Sequence, residues 1–216
     1  MTGVQTCALP ISAKDQKELL AELEKRGIFL LCDDVYAELA FRDPYKPASK
    51  ESQYAVVINS WSKSLALPGW RIGFVHTRHR LLFKKILSAH QFLSTCANAP
   101  AQALMVAVLS RPALYAKTLN GFRSTYERRL KTHCKSLDLD CPAGGFYLFP
   151  RIKSRNSESF ANKLLKTHNL LVVPGSYFGR EGSQYLRVSL ATPDRVLKKA
   201  IPLLKEQLSV GNGGAR

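Results

Sequence analysis

Apolar and polar positions change period several times along the chain, and each change marks an element. Leu19, Leu20 and Leu23 recur at helical spacing behind Ser12, a candidate N-cap, and Asp15, a first-turn acid, and the pattern stops at Gly27. Residues 28–32 then run apolar without interruption, which predicts a strand buried on both faces. That run ends in Asp33, Asp34 and Tyr36, polar groups at the carboxyl end of a strand, where open α/β sheets bind ligands. A polar, proline-bearing connection over 41–53 leads to a second apolar run at 55–59. Residues 70–76 read as a further strand and 81–96 as a long amphipathic helix. Pro100 and Pro112 each reopen a helical pattern, the second continuing to about residue 137.

Beyond that point the elements shorten. Gly144 and Gly145 open a strand expected over 143–150, and a helix follows over 157–168. A strand at 170–173, a Pro174-Gly175-Ser176 turn and a strand at 185–190 carrying Arg187 precede a last helix from Asp194. Helix–strand alternation in the first part predicts an α/β fold. Residues 13–112 are expected to form a partial large domain with a mainly parallel sheet and helical crossovers. Residues 113–210 are expected to form a smaller α+β C-terminal domain, and 211–216 a disordered tail.

Composition narrows the field. With 45% hydrophobic residues, a chain of 216 residues can bury one large core or two small ones. No apolar run approaches the roughly 18 residues of a membrane span. The excess of 32 Lys+Arg over 16 Asp+Glu gives +16, a balance compatible with an anionic partner. However, Arg123, Arg128, Arg129, Lys131 and Lys135 fall at amphipathic spacing, as on a solvated helix face, so nucleic acid is disfavoured. Cys7, Cys32, Cys96, Cys134 and Cys141 form no metal-type spacing, and the histidines make no ligand pair; free thiols and a cytoplasmic setting are expected, with no metal site. Residues 1–12 carry no charge and closely resemble a translated sequencing-library adapter. A native reading frame entering near Ser12 is expected, which makes the chain a C-terminal portion.

Chemistry concentrates at residues 60–74, directly after the second apolar run. Lys63 lies among Ser60, Ser62 and Ser64, with a Pro68-Gly69 turn and Arg71 close behind. A lysine in a partly apolar pocket near another cation can attack a carbonyl as the free amine. Hydroxyls and an arginine fork suit a phosphate. Together they suggest a Schiff-base lysine beside a phosphate cradle. Asp33 with Tyr36, Ser60 and Ser62 with Lys63 and Arg71, then Gly144-Gly145-Phe146-Tyr147, then Arg187 after Pro174-Gly175, stand in a fixed order.

In that order the set resembles the second half of a class I/II aminotransferase, the fold-type I family dependent on pyridoxal 5'-phosphate. The resemblance covers nearly all residues after 12. It implies that Lys63 forms the Schiff base and shuttles a proton, and that Asp33 pairs with the pyridine nitrogen. Tyr36 would hydrogen-bond the phenolic oxygen, Ser60, Ser62 and Arg71 would hold the phosphate, and Arg187 would clamp a substrate carboxylate. Amino acid and 2-oxo acid substrates, biosynthetic amino acid metabolism and a homodimeric parent are likewise implied. A carbon–sulfur β-lyase of the same fold would use the same residues, as would a cofactor-sensing domain of a transcription regulator. Because the family takes further cofactor contacts from upstream residues, the chain alone is expected to bind pyridoxal phosphate weakly and to be inactive.

Overall fold

The computed structural model describes residues 12–41 and 46–210. Cys7, the rest of residues 1–11 and the tail at 211–216 lie outside the described residues, as do the expectations attached to them. The chain divides into two compact units between Arg123 and Ser124, within helix α5 (Pro112–Leu137).

In the first unit, helix α1 (Ala13–Lys25) begins where Ser12 Oγ accepts from the Asp15 amide at 3.1 Å. Gly27, at φ 64°, turns the chain out of it. Strand β1 (Leu30–Asp33) pairs in parallel with β2 (Ala55–Ser60), and β2 pairs antiparallel with β3 (Gly73–Thr77), in the order β1-β2-β3. The α/β class is as expected, but this sheet has one parallel and one antiparallel pair. The β2–β3 connection explains the difference: it holds only the one-turn helix α2 (Trp61–Ser64) and a 3-10 turn at Pro68–Trp70, too little to cross the sheet.

Residues 28–32 are not buried on both faces. Leu31 is 65% exposed and Ile28 47%, whereas Ala55, Val56 and Val57 of the central strand are buried. Among the described residues β1 pairs only with β2, so it is an edge strand. Helices α3 (Arg80–Ser94) and α4 (Ala99–Leu109) follow, the latter capped by Asn98. Trp61, Leu65, Ile72, Ala101 and Met105 form one buried cluster, which ties α2 to α4; Leu20, Ala48 and Ala55 form another.

The second unit holds a three-stranded antiparallel sheet of order β4-β6-β5, with β4 (Tyr147–Leu148), β5 (Val173–Pro174) and β6 (Leu186–Ser189). The expected strand at 143–150 contracts to two residues, although the Phe146 and Pro150 carbonyls still accept from the Leu190 and Leu186 amides at 2.8 and 3.1 Å. Helix α6 (Ser157–His168) lies between β4 and β5 in the chain, and α7 (Asp194–Val210) follows β6. Leu130, Leu148, Ile152, Leu164, Leu186, Leu190 and Leu204 are fully buried and form its core positions.

Candidate active site

The strand register collects the candidate residues of the first unit at one sheet edge. Asp33 ends β1 opposite Ile58, and Ser60 ends β2 opposite Gly73 of β3. Because β1 and β2 are parallel, their carboxyl ends coincide, and Arg71, two residues before Gly73, enters at the same edge. The Asp34 amide donates to the Ile58 carbonyl at 2.8 Å, extending the pairing by one residue. Asp33 Oδ1 accepts from the Val35 amide at 3.4 Å, and its side chain is exposed at the strand end.

Ser60 changes the strand into a helix. Its backbone is extended (φ −150°, ψ 155°), and its Oγ accepts from the Ser62 amide at 3.3 Å, capping α2. Trp61 and Ser64 are buried, while Ser62 and Lys63 are half-buried. Lys63 Nζ lies 5.8 Å from the centre of the Tyr36 ring, within cation–π range. A Cβ on Gly73 would meet the Asn59 carbonyl oxygen at 2.5 Å and Ser60 Cβ at 2.9 Å, so only glycine lets β3 approach the capping serine this closely. Arg71 is left-handed (φ 51°), a conformation that costs a residue with a Cβ about 1–2 kcal/mol, and its Nη1 donates to the Pro68 carbonyl at 2.9 Å. Held strain of this kind gathers at functional sites.

Behind Lys63 lies a polar group that sequence reading did not find. Tyr115 of α5 donates its hydroxyl to Glu38 Oε1 at 2.5 Å, beside Trp61 and Ser64. Burial first, and the Glu38 carboxylate next, push the Tyr115 hydroxyl far above the ordinary phenol range. Ser64 Oγ is buried near that hydroxyl without a well-formed hydrogen bond. Glu38 and Tyr115 are 77 residues apart, and no local pattern announces such a pairing.

Arg187 belongs to the second unit. It stands on β6 opposite Val173. Its guanidinium carbon lies 4.6 Å from the Tyr147 ring centre and 4.5 Å from that of Phe178. Tyr147 pairs with Ser189, so it reaches Arg187 diagonally across the β4–β6 ladder. Both rings lie within cation–π range of the guanidinium. Tyr147 stood in the sequence only as part of the Gly144-Gly145-Phe146-Tyr147 motif, with no role attached, and Phe178 carried no signal. Among the described residues, Lys63, Arg71 and Arg187 are absent from the ion pairs, which involve Lys14, Lys25, Arg26, Arg128, Arg129 and Lys131. The structure brings six predicted residues together along one edge of the first unit: Asp33, Tyr36, Ser60, Ser62, Lys63 and Arg71.

A half-buried amine can condense with a carbonyl, and hydroxyls with a guanidinium can bind a phosphate. The description Aminotransferase class I and II matches residues 7–203. The Bacillus subtilis (strain 168) protein YugH, an aminotransferase by name, is 36% identical over 92% of the chain and 53% of its own length. An aspartate aminotransferase of Pyrococcus abyssi is 30% identical over 92% and 53%. Among solved structures, the aromatic aminotransferase from Pyrococcus horikoshii OT3 superposes with a TM-score of 0.82 at 28% identity, covering 93% of this chain and 56% of that one. The chain belongs to the class I and II aminotransferase family, a family that uses pyridoxal phosphate. It spans about half the length of the curated relatives it matches.

Proposed function

We propose that this chain forms the lysine- and arginine-bearing part of an aminotransferase that moves an amino group between an amino acid and a 2-oxo acid. The observation that carries the reading is the shared sheet edge, where Asp33, Ser60, Lys63 and Arg71 meet with Lys63 over the Tyr36 ring. Pyridoxal 5'-phosphate, when bound, supplies a ring that accepts the electrons released at the substrate α-carbon. The donor set fits it. Asp33 would hold a proton on the ring nitrogen, Tyr36 would hydrogen-bond the phenolic oxygen, and Ser60, Ser62 and Arg71 would bind the phosphate.

Lys63 Nζ would supply the amine that holds the aldehyde group and would move a proton at the substrate α-carbon. Its half-buried seat on α2 and its place over the Tyr36 ring would orient that amine. Arg187, held against Tyr147 and Phe178, would bind the α-carboxylate in a two-bond fork. A large cofactor-binding domain over 13–112, a small domain over 113–210, a cytoplasmic homodimer and a biosynthetic role complete the proposal. No helix of the described residues is long and apolar enough to cross a membrane. The relatives named above are aminotransferases, and no observation favours the lyase or the regulator. In the protein that carries this chain, Lys63→Ala should abolish amino transfer to 2-oxoglutarate; turnover within tenfold of the parent would refute the assignment.

A further inference from the structure

Cys134 and Cys141 lie outside the candidate active site, and the proposed reaction uses neither. Cys134 stands near the end of α5 and is buried, whereas Cys141 is exposed. Between them the chain folds back on itself. The Leu139 amide donates to the Cys134 carbonyl at 3.0 Å, and Asp138 takes a left-handed φ of 54°. That reversal lays the Cys134 sulfur 3.8 Å from the Asp140 carbonyl oxygen, which belongs to the peptide bond leading into Cys141. Burial pushes the Cys134 thiol up to about 12, and the charge and hydrogen bond of the Cys141 thiol add to the rise. Cys134 therefore stays protonated, its sulfur held against the peptide bond that leads into the exposed Cys141.

We propose that Cys134 and Cys141 form a hydroperoxide-reactive dithiol that closes to an intramolecular disulfide. In the first step the Cys141 sulfur attacks one oxygen of hydrogen peroxide. The O–O bond breaks, the thiol proton leaves with the departing hydroxide as water, and Cys141 becomes a sulfenic acid. In the second step the Cys134 sulfur attacks the Cys141 sulfur. The S–S bond forms, the S–O bond breaks, and the Cys134 proton leaves with hydroxide as a second water. The two sulfurs together lose two electrons, which the peroxide gains. Closure requires the exposed Cys141 side chain to turn toward Cys134 and bring the sulfurs to an S–S distance of about 2.05 Å. No other two of the five cysteines lie as near in sequence.

The test treats the folded, full chain with hydrogen peroxide, alkylates it, and digests it with trypsin without reductant. Cleavage after Lys131, Lys135 and Arg151 separates the two cysteines onto peptides 132–135 and 136–151. The two peptides should appear covalently joined, two hydrogens lighter than their sum, and separate on reduction. Cys141→Ser should abolish the linked species, and Cys134→Ser should leave Cys141 as a sulfenic acid that dimedone labels. Both peptides recovered only as alkylated thiols, at peroxide doses that oxidise the exposed Cys96, would overturn the proposal. So would linkage of Cys141 to Cys96 or to a second chain, or a link that forms only in denaturant.

Discussion

Arg187 is held by two aromatic rings and enters no ion pair among the described residues, so its charge is available to a ligand. A hydrogen bond to a charged group contributes about 1.5–3 kcal/mol, which corresponds to roughly ten- to a hundredfold in kcat/KM. Arg187→Ala should cost that much, mainly through KM for both amino acid and 2-oxo acid, and Arg187→Lys should recover little because lysine lacks the planar fork. Unchanged KM values would contradict the carboxylate role. His133 gives a second test at this scale. Burial lowers its pKa below 6.5, Asp194 opposes, and Arg129 and Arg128 lower it further. The unfolded chain thus binds the proton more readily than the folded one. The stability tied to neutral His133 is present above pH 6.5 and lost as the pH falls through the folded value. The denaturation midpoint should fall more steeply below that pH in the parent than in His133→Gln; equal slopes would contradict it.

At the scale of elements, the site depends on how closely β3 can approach the end of β2. Gly73→Ala puts a methyl group against the Asn59 carbonyl and Ser60, so backbone must shift. Such overpacking costs about 1–3 kcal/mol, and the loss should be visible as a lower urea midpoint. A midpoint equal to the parent's would show that β3 is looser than its geometry implies. The strand-end positions of Asp33 and Ser60, with Lys63 just beyond, were legible in the sequence because the end of an apolar run is a local feature. Tyr115 and Glu38 were not, because their pairing depends on a helix returning to a turn 77 residues away. Phe178 meets Arg187 only through tertiary packing. The antiparallel β3 escaped notice because an alternating strand pattern carries no direction, and only the shortness of α2 reveals it.

Across the whole chain, the α/β class was readable from the order of elements. Pro112 marked the start of α5, but a continuous helix carries the division by compactness to Arg123 and Ser124. Burial was less legible. The run at 28–32 shows what that strand is suited to bury, yet Leu31 is 65% exposed; on α3, Phe92 is 89% and Leu93 85% exposed. Periodicity marks which side chains are apolar, not what covers them. The proposed cofactor contacts in this chain are those of one sheet edge. The central claim is that Lys63 at that edge is the amine that takes the cofactor. Reductive trapping reads it most directly, because a covalent bond registers even a weakly held ligand. The protein carrying this chain is mixed with pyridoxal phosphate, reduced with borohydride and digested with trypsin. The account predicts a pyridoxyl-labelled peptide spanning 51–71, uncut at Lys63. Label spread over other lysines, with normal cleavage at Lys63, would contradict it.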